Sequence, residues 1–259
     1  MEAHIPSFSP DTIASIGSFH ITNTMINVWL ALIIFFVFGM VLRKKVHVRP
    51  SRLQNSCEYF LESLFHYLDQ VTGSRESTIK FFPVVGTVFF FILLSNWLGL
   101  LPGTGSITVD HAPLFRPANT DLNLTVAMAL VSVISSHIFA FATIGFFSHA
   151  NKFVQLGTIV KSLKKGPVAI FQALVEFMVG IIEIVGEMAK VMSLSLRLFG
   201  NIFAGEVLIS VIGSLVSLLV PTPFMILEVL VGLIQASVFA ILTTVYLTVA
   251  TSEPHGSEH

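Results

Sequence analysis

Apolar residues along this chain form runs that are long enough to cross a membrane, and short polar stretches separate these runs. The hydrocarbon core of a bilayer is about 30 Å thick, so a helix needs about 20 mostly apolar residues to span it. The pattern predicts five membrane helices, at residues 25–42, 81–101, 122–147, 167–220 and 224–251. We therefore predict an all-α integral membrane protein. Residues 1–259 form a single membrane domain that begins with an exported tail at 1–24.

Residues 51–72 show a different pattern, in which apolar positions recur every three to four residues and polar positions take the other face. This periodicity is typical of an amphipathic helix, and the segment is too polar to span a membrane. Ser51 is a suitable N-cap and Gly73 a suitable C′ residue. The polar face is acidic, whereas helices that bind a membrane surface usually carry basic residues there. The pattern therefore favours a cytoplasmic surface helix that binds a protein partner over one that binds lipid.

Composition and charge agree with membrane insertion and orient the chain. The chain is 54% hydrophobic and 11% charged, with a mean hydropathy of +0.84, whereas soluble domains have about 25% charged residues. Seven of its 14 basic residues lie between positions 43 and 80, and none precedes them. The positive-inside rule therefore places the N-terminus outside and the segment after the first span in the cytoplasm. A net charge of −1 gives no sign of nucleic-acid binding.

Signatures of catalytic or cofactor sites are absent from the sequence. It contains no GxSxG nucleophile elbow, no HExxH pair and no phosphate loop ending in GK and Ser or Thr. The single cysteine, Cys57, excludes an internal disulfide. Asp110 and His111 are metal-ligand types, but two such residues in a loop are weak evidence for a site. We therefore expect neither a cofactor nor a metal.

The segment from Pro167 to Val220 contains no further proline and no clear turn. Its 54 residues would measure about 80 Å as one helix, far more than the hydrocarbon core. Two interpretations stay open from the residues alone. Either two upright spans meet at a turn near Gly200–Asn201, or one long helix lies steeply tilted. Pro221 and Pro223 mark a firm break before the last helix.

Charged residues are concentrated within this apolar segment, although each costs about 2.5–3.5 kcal/mol at a membrane centre. At 100° per residue, a group of polar side chains falls within an arc of about 80°. These are Glu183, Glu187, Lys190, Arg197 and Asn201. Glu206 lies about 180° from Arg197, the single deep arginine, whereas Arg116 is expected in an outer loop. The last helix adds Glu228 and Gln235, seven residues apart on one face.

These residue types suit the movement of ions across a membrane. A glutamate can take up and release a proton, whereas arginine stays protonated and acts as a fixed positive charge. Arg197 between two polar half-paths would repel a leaking proton and attract a passing carboxylate. Structural interpretations compete at other positions. Glu187 and Lys190 have the spacing of an ion pair. His137 can be a packed residue, and Asn96 can make an interhelical hydrogen bond.

The stretch SLSLRLFGNIFAGE, at residues 193–206, closely resembles the signature of subunit a of the rotary F-type ATP synthases. Three further segments resemble the same family in order along the chain. They are SNWLGLLPG (95–103), NTDLNLTVAMAL (119–130) and QASVFAILTTVYL (235–247). The resemblance covers about residues 20–251. A stand-alone ion transporter or channel is the alternative.

The resemblance implies a role for each matching residue. Arg197 matches the arginine that faces the rotating ring of c subunits, and Asn201 and Gln235 match polar residues beside it. Glu206 and Glu228 match positions of the external entry half-channel, and Glu183 matches an acid on the cytoplasmic exit path. The remaining polar candidates near these paths are Glu187, Lys190, His137, Asn96, Ser193 and Tyr246.

The resemblance also implies topology and partners. The last two helices would form a long, strongly tilted hairpin that turns outside the membrane at residues 221–223, with the C-terminus in the cytoplasm. The expected partners are the c-ring, a b-type peripheral stalk that contacts helix 51–72, the rest of the ATP synthase complex and the lipid bilayer. A bacterial plasma (inner) membrane is preferred over an organelle. The expected function is to provide two offset proton half-channels that couple proton translocation to ring rotation and ATP synthesis.

Overall fold

The computed structural model describes residues 7, 9–44, 50–101, 108–109, 112–145, 167–215 and 220–252. Six α-helices lie within these residues. They are α1 (Asn23–Lys44), α2 (Arg52–Thr72), α3 (Arg75–Gly99), α4 (Leu122–Ile144), α5 (Pro167–Leu215) and α6 (Pro221–Thr251). All except α2 include a stretch long and apolar enough to cross a membrane. The predicted fold class is therefore confirmed, and the chain is a multi-pass membrane protein.

Helix α2 has the ends that its sequence predicts. The Ser51 hydroxyl accepts a hydrogen bond from the Gln54 amide at 3.3 Å, and Gly73 closes the helix with a φ of 73°. Ser74 then caps α3, which begins at Arg75 rather than at the predicted residue 81. The first turns of α3 carry charged residues, and for this reason the hydropathy pattern assigns them to a loop.

An exposed arginine joins α2 to α3. Arg75 donates to Glu62 at 2.7 Å and to Asp69 at 2.9 Å. Burial opposes ionisation of Asp69, but hydrogen bonds from Thr78 and Arg75 outweigh it and lower the pKa of this carboxyl. Exposed pairs of this kind contribute about 0–1 kcal/mol, so we assign them a small share of the stability.

Two short antiparallel hairpins accompany the helices, although the sequence pattern predicts only a tail and a loop at these places. Their strands are β1 (Thr12–Ile16) with β2 (Phe19–Thr22) and β3 (Thr108–Val109) with β4 (Ala112–Pro113). Gly17, with a φ of 63°, makes the first turn. Asn23 links the two hairpins, because its Nδ2 donates to Asp11 and to the carbonyl of Pro113, both at 3.3 Å. Strands this short do not show a clear alternation in the sequence.

Helix α6 lies at the centre of the bundle and packs against α2, α3, α4 and α5. Most of its buried positions are small or apolar, which lets neighbouring helices approach closely. They include Gly232, Ala236, Phe239, Ala240 and Leu247. The same core contains Val85, Phe89 and Ile92 of α3 and Leu194, Leu198 and Ile202 of α5. This packing fixes the long helices α5 and α6 side by side.

Helix α5 runs for 49 residues without a break and passes straight through Gly200 and Asn201. At 1.5 Å per residue it is about 74 Å long. Its apolar part, Phe177–Leu215, has 39 residues and must tilt about 60° from the membrane normal to stay within about 30 Å of hydrocarbon. The interpretation with a turn at Gly200–Asn201 is therefore wrong, and the single long helix is confirmed.

Candidate functional site

Arg197 lies within the apolar part of α5 and is partly buried. Its Nη2 donates to the Ser193 hydroxyl at 3.3 Å, one turn earlier on the same helix. Among the residues that the structure describes, Arg197 makes no ion pair with a carboxylate. A guanidinium group has five N–H donors, so an anionic partner can still bind to it.

The face of α5 next to Arg197 is apolar and exposed. On the core side of the helix, Leu194 and Leu198 are buried. The other side consists of large apolar side chains that are half exposed or more: Val185 (59%), Met188 (65%), Met192 (60%) and Leu196 (50%). Arg197 lies at the border between the two sides. Exposed apolar surface of this extent marks a place where another protein or lipid covers the helix.

Asn201, one turn after Arg197, joins α5 to α6. Its Nδ2 donates to Oε1 of Gln235 at 2.7 Å. Gln235 is 3% exposed, and its Nε2 has no hydrogen-bond partner in the described part of the chain. The structure thus brings these two predicted residues together. The Nε2 donor of Gln235 stays without an acceptor among the described residues.

Glu228 lies two turns before Gln235 on α6 and is 7% exposed. Within the described ranges, its Oε1 has no hydrogen-bond partner. The carboxyl group lies against Gly205 of α5, where an added Cβ would overlap it. A glycine therefore provides the room for this acid between two long helices.

Glu206 follows Gly205 in the chain but has a different partner. Arg116, from the segment between β4 and α4, donates from Nε to both carboxylate oxygens of Glu206, at 2.9 and 3.1 Å, and from Nη2 at 3.1 Å. The same guanidinium donates to the carbonyls of Ser9, at 3.2 Å, and Ser7, at 2.7 Å. Since Arg116 is 2% exposed, Glu206 belongs to a buried, multiply bonded ion pair.

Arg116 is the residue of the site that the sequence pattern does not single out. Arg197 remains the arginine near the middle of a membrane helix, and Arg116 is a second arginine of the site, buried in the segment before α4. A basic residue in an outer loop rich in Gly and Pro is ordinarily solvated. The residues around Arg116 in the sequence therefore do not predict that its side chain is buried. One hint is present, since Arg116 stands alone between Phe115 and Pro117 on a side of the membrane otherwise poor in basic residues.

Asn96 and Asn119 add a buried polar contact beside α6. Asn119 Nδ2 donates to Asn96 Oδ1 at 2.6 Å. Asn96 Nδ2 donates to the carbonyl of Gly232 at 3.4 Å, one turn after Glu228. The predicted interhelical hydrogen bond of Asn96 is confirmed.

A second polar group lies on the N-terminal side of the centre of α5. Lys190 Nζ donates to Glu187 at 2.6 Å, so the predicted pairing is confirmed. His137 of α4 brings its Nε2 within 3.6 Å of the same carboxylate, and Lys190 Nζ lies 5.3 Å from the ring centre of Tyr246. Glu183 is partly buried one turn earlier on the same face of α5.

The described residues contain no cluster of three or more His, Cys, Asp or Glu side chains that could hold a metal ion. Asp110 and His111 lie outside the described residues. The site consists of two groups of polar side chains at different levels along α5. Arg197 lies between the two groups.

The sequence profile of the ATP synthase A chain family matches residues 25–248. The chain is 30% identical to ATP synthase subunit a of Moorella thermoacetica, over 92% of this chain and 94% of that protein. It is 34% identical to ATP synthase subunit a of Gloeobacter violaceus, over 92% of this chain and 86% of that one. It is 32% identical to the chloroplastic subunit a of Stigeoclonium helveticum, over 90% and 86%. The chain belongs to the ATP synthase subunit a family, as the resemblance predicts.

Proposed function

We propose that this chain is the stator subunit that carries protons through the membrane sector of an F-type ATP synthase and couples their passage to rotation of a c-ring. Family membership supports the proton-channel role. The observation that carries the residue assignments is the position of Arg197. It lies between two polar groups, at the border of an exposed apolar face, without a carboxylate partner among the described residues. Nothing in the comparisons favours a stand-alone transporter.

The outer polar group forms the entry half-path. Its members lie on α5 and α6 at the end of the bundle that holds both hairpins: Asn201, Glu206, Glu228 and Gln235. A proton from outside passes along this group to a carboxylate on a c subunit. The neutral carboxyl group then enters the lipid, because moving a charge there would be costly.

Arg197 separates the two half-paths. A guanidinium does not lose its proton, so it repels a proton that would pass directly from entry to exit. It also attracts the c-subunit carboxylate after that group has released its proton. Its open donors and its position beside the exposed face of α5 support both roles.

The inner polar group forms the exit half-path. Glu183 is the acid closest to its inner end, and Glu187, Lys190, His137 and Tyr246 accompany it. A membrane potential of 100 mV supplies about 2.3 kcal/mol for each charge that crosses. Several protons are therefore needed for each nucleotide made elsewhere in the complex.

The surfaces of the chain suit two partners. The apolar face of α5 that includes Met188, Met192 and Leu196 suits the apolar surface of a c-ring. Helix α2, with its acidic side chains on an exposed face, suits a b-type peripheral stalk. We place the N-terminus outside and the C-terminus in the cytoplasm of a bacterial inner membrane, on the distribution of basic residues and the resemblance.

Replacement of Arg197 tests this function. In proteoliposomes that contain the whole complex, Arg197→Ala should lower proton-driven ATP synthesis by at least about 100-fold, because it removes the fixed positive charge that stabilises the c-subunit carboxylate. The amount of the chain in the purified complex should stay normal. A complex that assembles and still makes ATP without this arginine would refute the proposal. The purified chain alone should carry no protons in liposomes, whereas a stand-alone transporter should.

A further inference from the structure

The ion pair between Arg116 and Glu206 is the least exposed charge contact that the structure describes. Arginine keeps its proton in proteins, so the Arg116 guanidinium is a permanent charge at 2% exposure. A buried charge is strongly unfavourable unless a partner of opposite sign lies against it. Protonation of Glu206 would take that partner away, so the contact favours the carboxylate.

Arg116 is itself fixed from two other parts of the chain. Its main-chain carbonyl accepts a hydrogen bond from Asn27 of α1 at 2.8 Å. Its guanidinium donates to the carbonyls of Ser7 and Ser9 in the N-terminal segment. The carboxylate of Glu206 is thus held by a group that cannot easily follow it to another position.

Glu228 lies at the same level of α5 and α6 as Glu206, but no charged partner among the described residues holds it. Its Oε1 has no hydrogen-bond partner in the part of the chain that the structure describes. Gly205 leaves open the space into which its carboxyl group projects. No described residue holds Glu228 as a carboxylate in the way that Arg116 holds Glu206.

Few charged groups face the two acids, as far as the described residues show. Arg116 binds Glu206 at 2.9 Å, and this is the ion pair that Glu206 makes among the described residues. Among the described residues, Glu228 makes no ion pair. The difference between the acids therefore comes mainly from one arginine.

On the basis of the proposed function, we propose that Arg116 is a positioning residue that keeps Glu206 ionised and fixed, so that Glu228 alone takes up and releases the proton on the entry path. The Glu228 carboxylate accepts a proton from the outer water, becomes neutral, and passes that proton to the c-subunit carboxylate. Glu206 contributes a static negative charge near this route and keeps its own charge throughout.

Paired replacements test the assignment in proteoliposomes that hold the whole ATP synthase, with rates expressed per amount of the chain in the complex. Arg116→Gln and Glu206→Gln should each lower proton-driven ATP synthesis about tenfold, because each leaves one buried charge without its partner. The double variant removes both charges and should recover at least about threefold over either single variant. Glu228→Gln should lower the rate at least about tenfold in the wild-type and the double-variant background alike.

Arg75→Gln is the matched control. Arg75 also contacts two carboxylates, but 41% of its side chain is exposed. Its replacement should change the rate by less than about twofold, because exposed ion pairs contribute little.

The dependence on outer pH separates positioning from simple structural support. The pH on the side of the entry half-path is varied, while a potassium–valinomycin potential and the pH on the exit side are held constant. The wild type and the double variant should show one titration step, that of Glu228. Arg116→Gln frees Glu206 to exchange protons as well, so its profile should show a second step.

Two results would overturn the inference. One is a double variant as inactive as Glu206→Gln in a fully assembled complex, since Glu206 would then carry protons itself. The other is a rate that falls by one constant factor at every outer pH in Arg116→Gln, as a merely structural role requires. If Arg197→Ala is inactive, the proposed function stands after either result. An active Arg197→Ala variant would refute the proposed function, whatever the Arg116 and Glu206 variants do.

Discussion

The two arginines of this site lie in opposite surroundings. Arg116 is 2% exposed and donates to both oxygens of Glu206 and to two main-chain carbonyls. Arg197 is partly exposed, and its hydrogen bond to Ser193 measures 3.3 Å. The chain itself satisfies the first charge. The second has open donors next to an apolar face that a partner must cover. Arg116 therefore helps to build the site, whereas Arg197 acts in it.

The acids Glu206 and Glu228 differ in the same way. Glu206 is held by three hydrogen bonds from Arg116. Glu228, across the narrow contact at Gly205, has an oxygen without a partner in the described residues. Buried polar groups are normally satisfied, so an exception on a proton path indicates a group whose partner arrives during function.

The largest effect should come from replacing Arg197 by lysine. Lysine keeps the charge but not the planar fork of donors, and it loses its proton more readily when buried. Arg197→Lys should lower proton-driven ATP synthesis at least about 30-fold, since an arriving c-subunit carboxylate can no longer bind two donors of one fork. Arg116→Lys still places a cation against Glu206 and should lower the rate less than about fivefold. Rates in proteoliposomes, divided by the amount of assembled complex, measure both. Equal losses in the two variants would remove the distinction between the arginines.

A smaller effect should follow when the space for Glu228 is filled. Gly205→Ala places a Cβ on the carboxyl group and should lower ATP synthesis about tenfold, since a displaced acid is misaligned for proton transfer. Gly39→Ala, on α1, is the matched control because nothing lies within 4 Å of the added carbon. Alanine favours a helix over glycine by about 1 kcal/mol at both positions. A full rate in Gly205→Ala would show that the position of Glu228 does not matter.

The fold is largely predictable from the sequence because membrane helices have a strong local signal. Twenty apolar residues in a row allow few structures, and the caps at Ser51 and Gly73 depend on neighbouring residues only. The start of α3 at Arg75 is harder to predict from the sequence, since a polar first turn resembles a loop. The hairpin of β1 and β2 is too short to show its alternation.

The site is predictable where helical spacing alone decides the geometry. Glu187 and Lys190 are three residues apart, and their pairing follows from that distance. The contact between Arg116 and Glu206 spans 90 positions and depends on how the outer segment folds onto α5. No local pattern records such a contact. The continuity of α5 through Gly200 is undecided by the residues as well, because glycine is compatible with a bend and with close packing.

Arg197 is proposed to block a direct passage of protons between two half-paths, and a leak measurement tests this role. The membrane sector, freed of its nucleotide-binding part, is placed in liposomes with the c-ring chemically cross-linked to this chain so that it cannot turn. A pH-sensitive dye inside the liposomes reports proton flow under an applied potential. We expect no flow above background with Arg197 in place and a clear leak with Arg197→Ala. A locked complex that stays proton-tight without Arg197 would show that this arginine does not separate the half-paths.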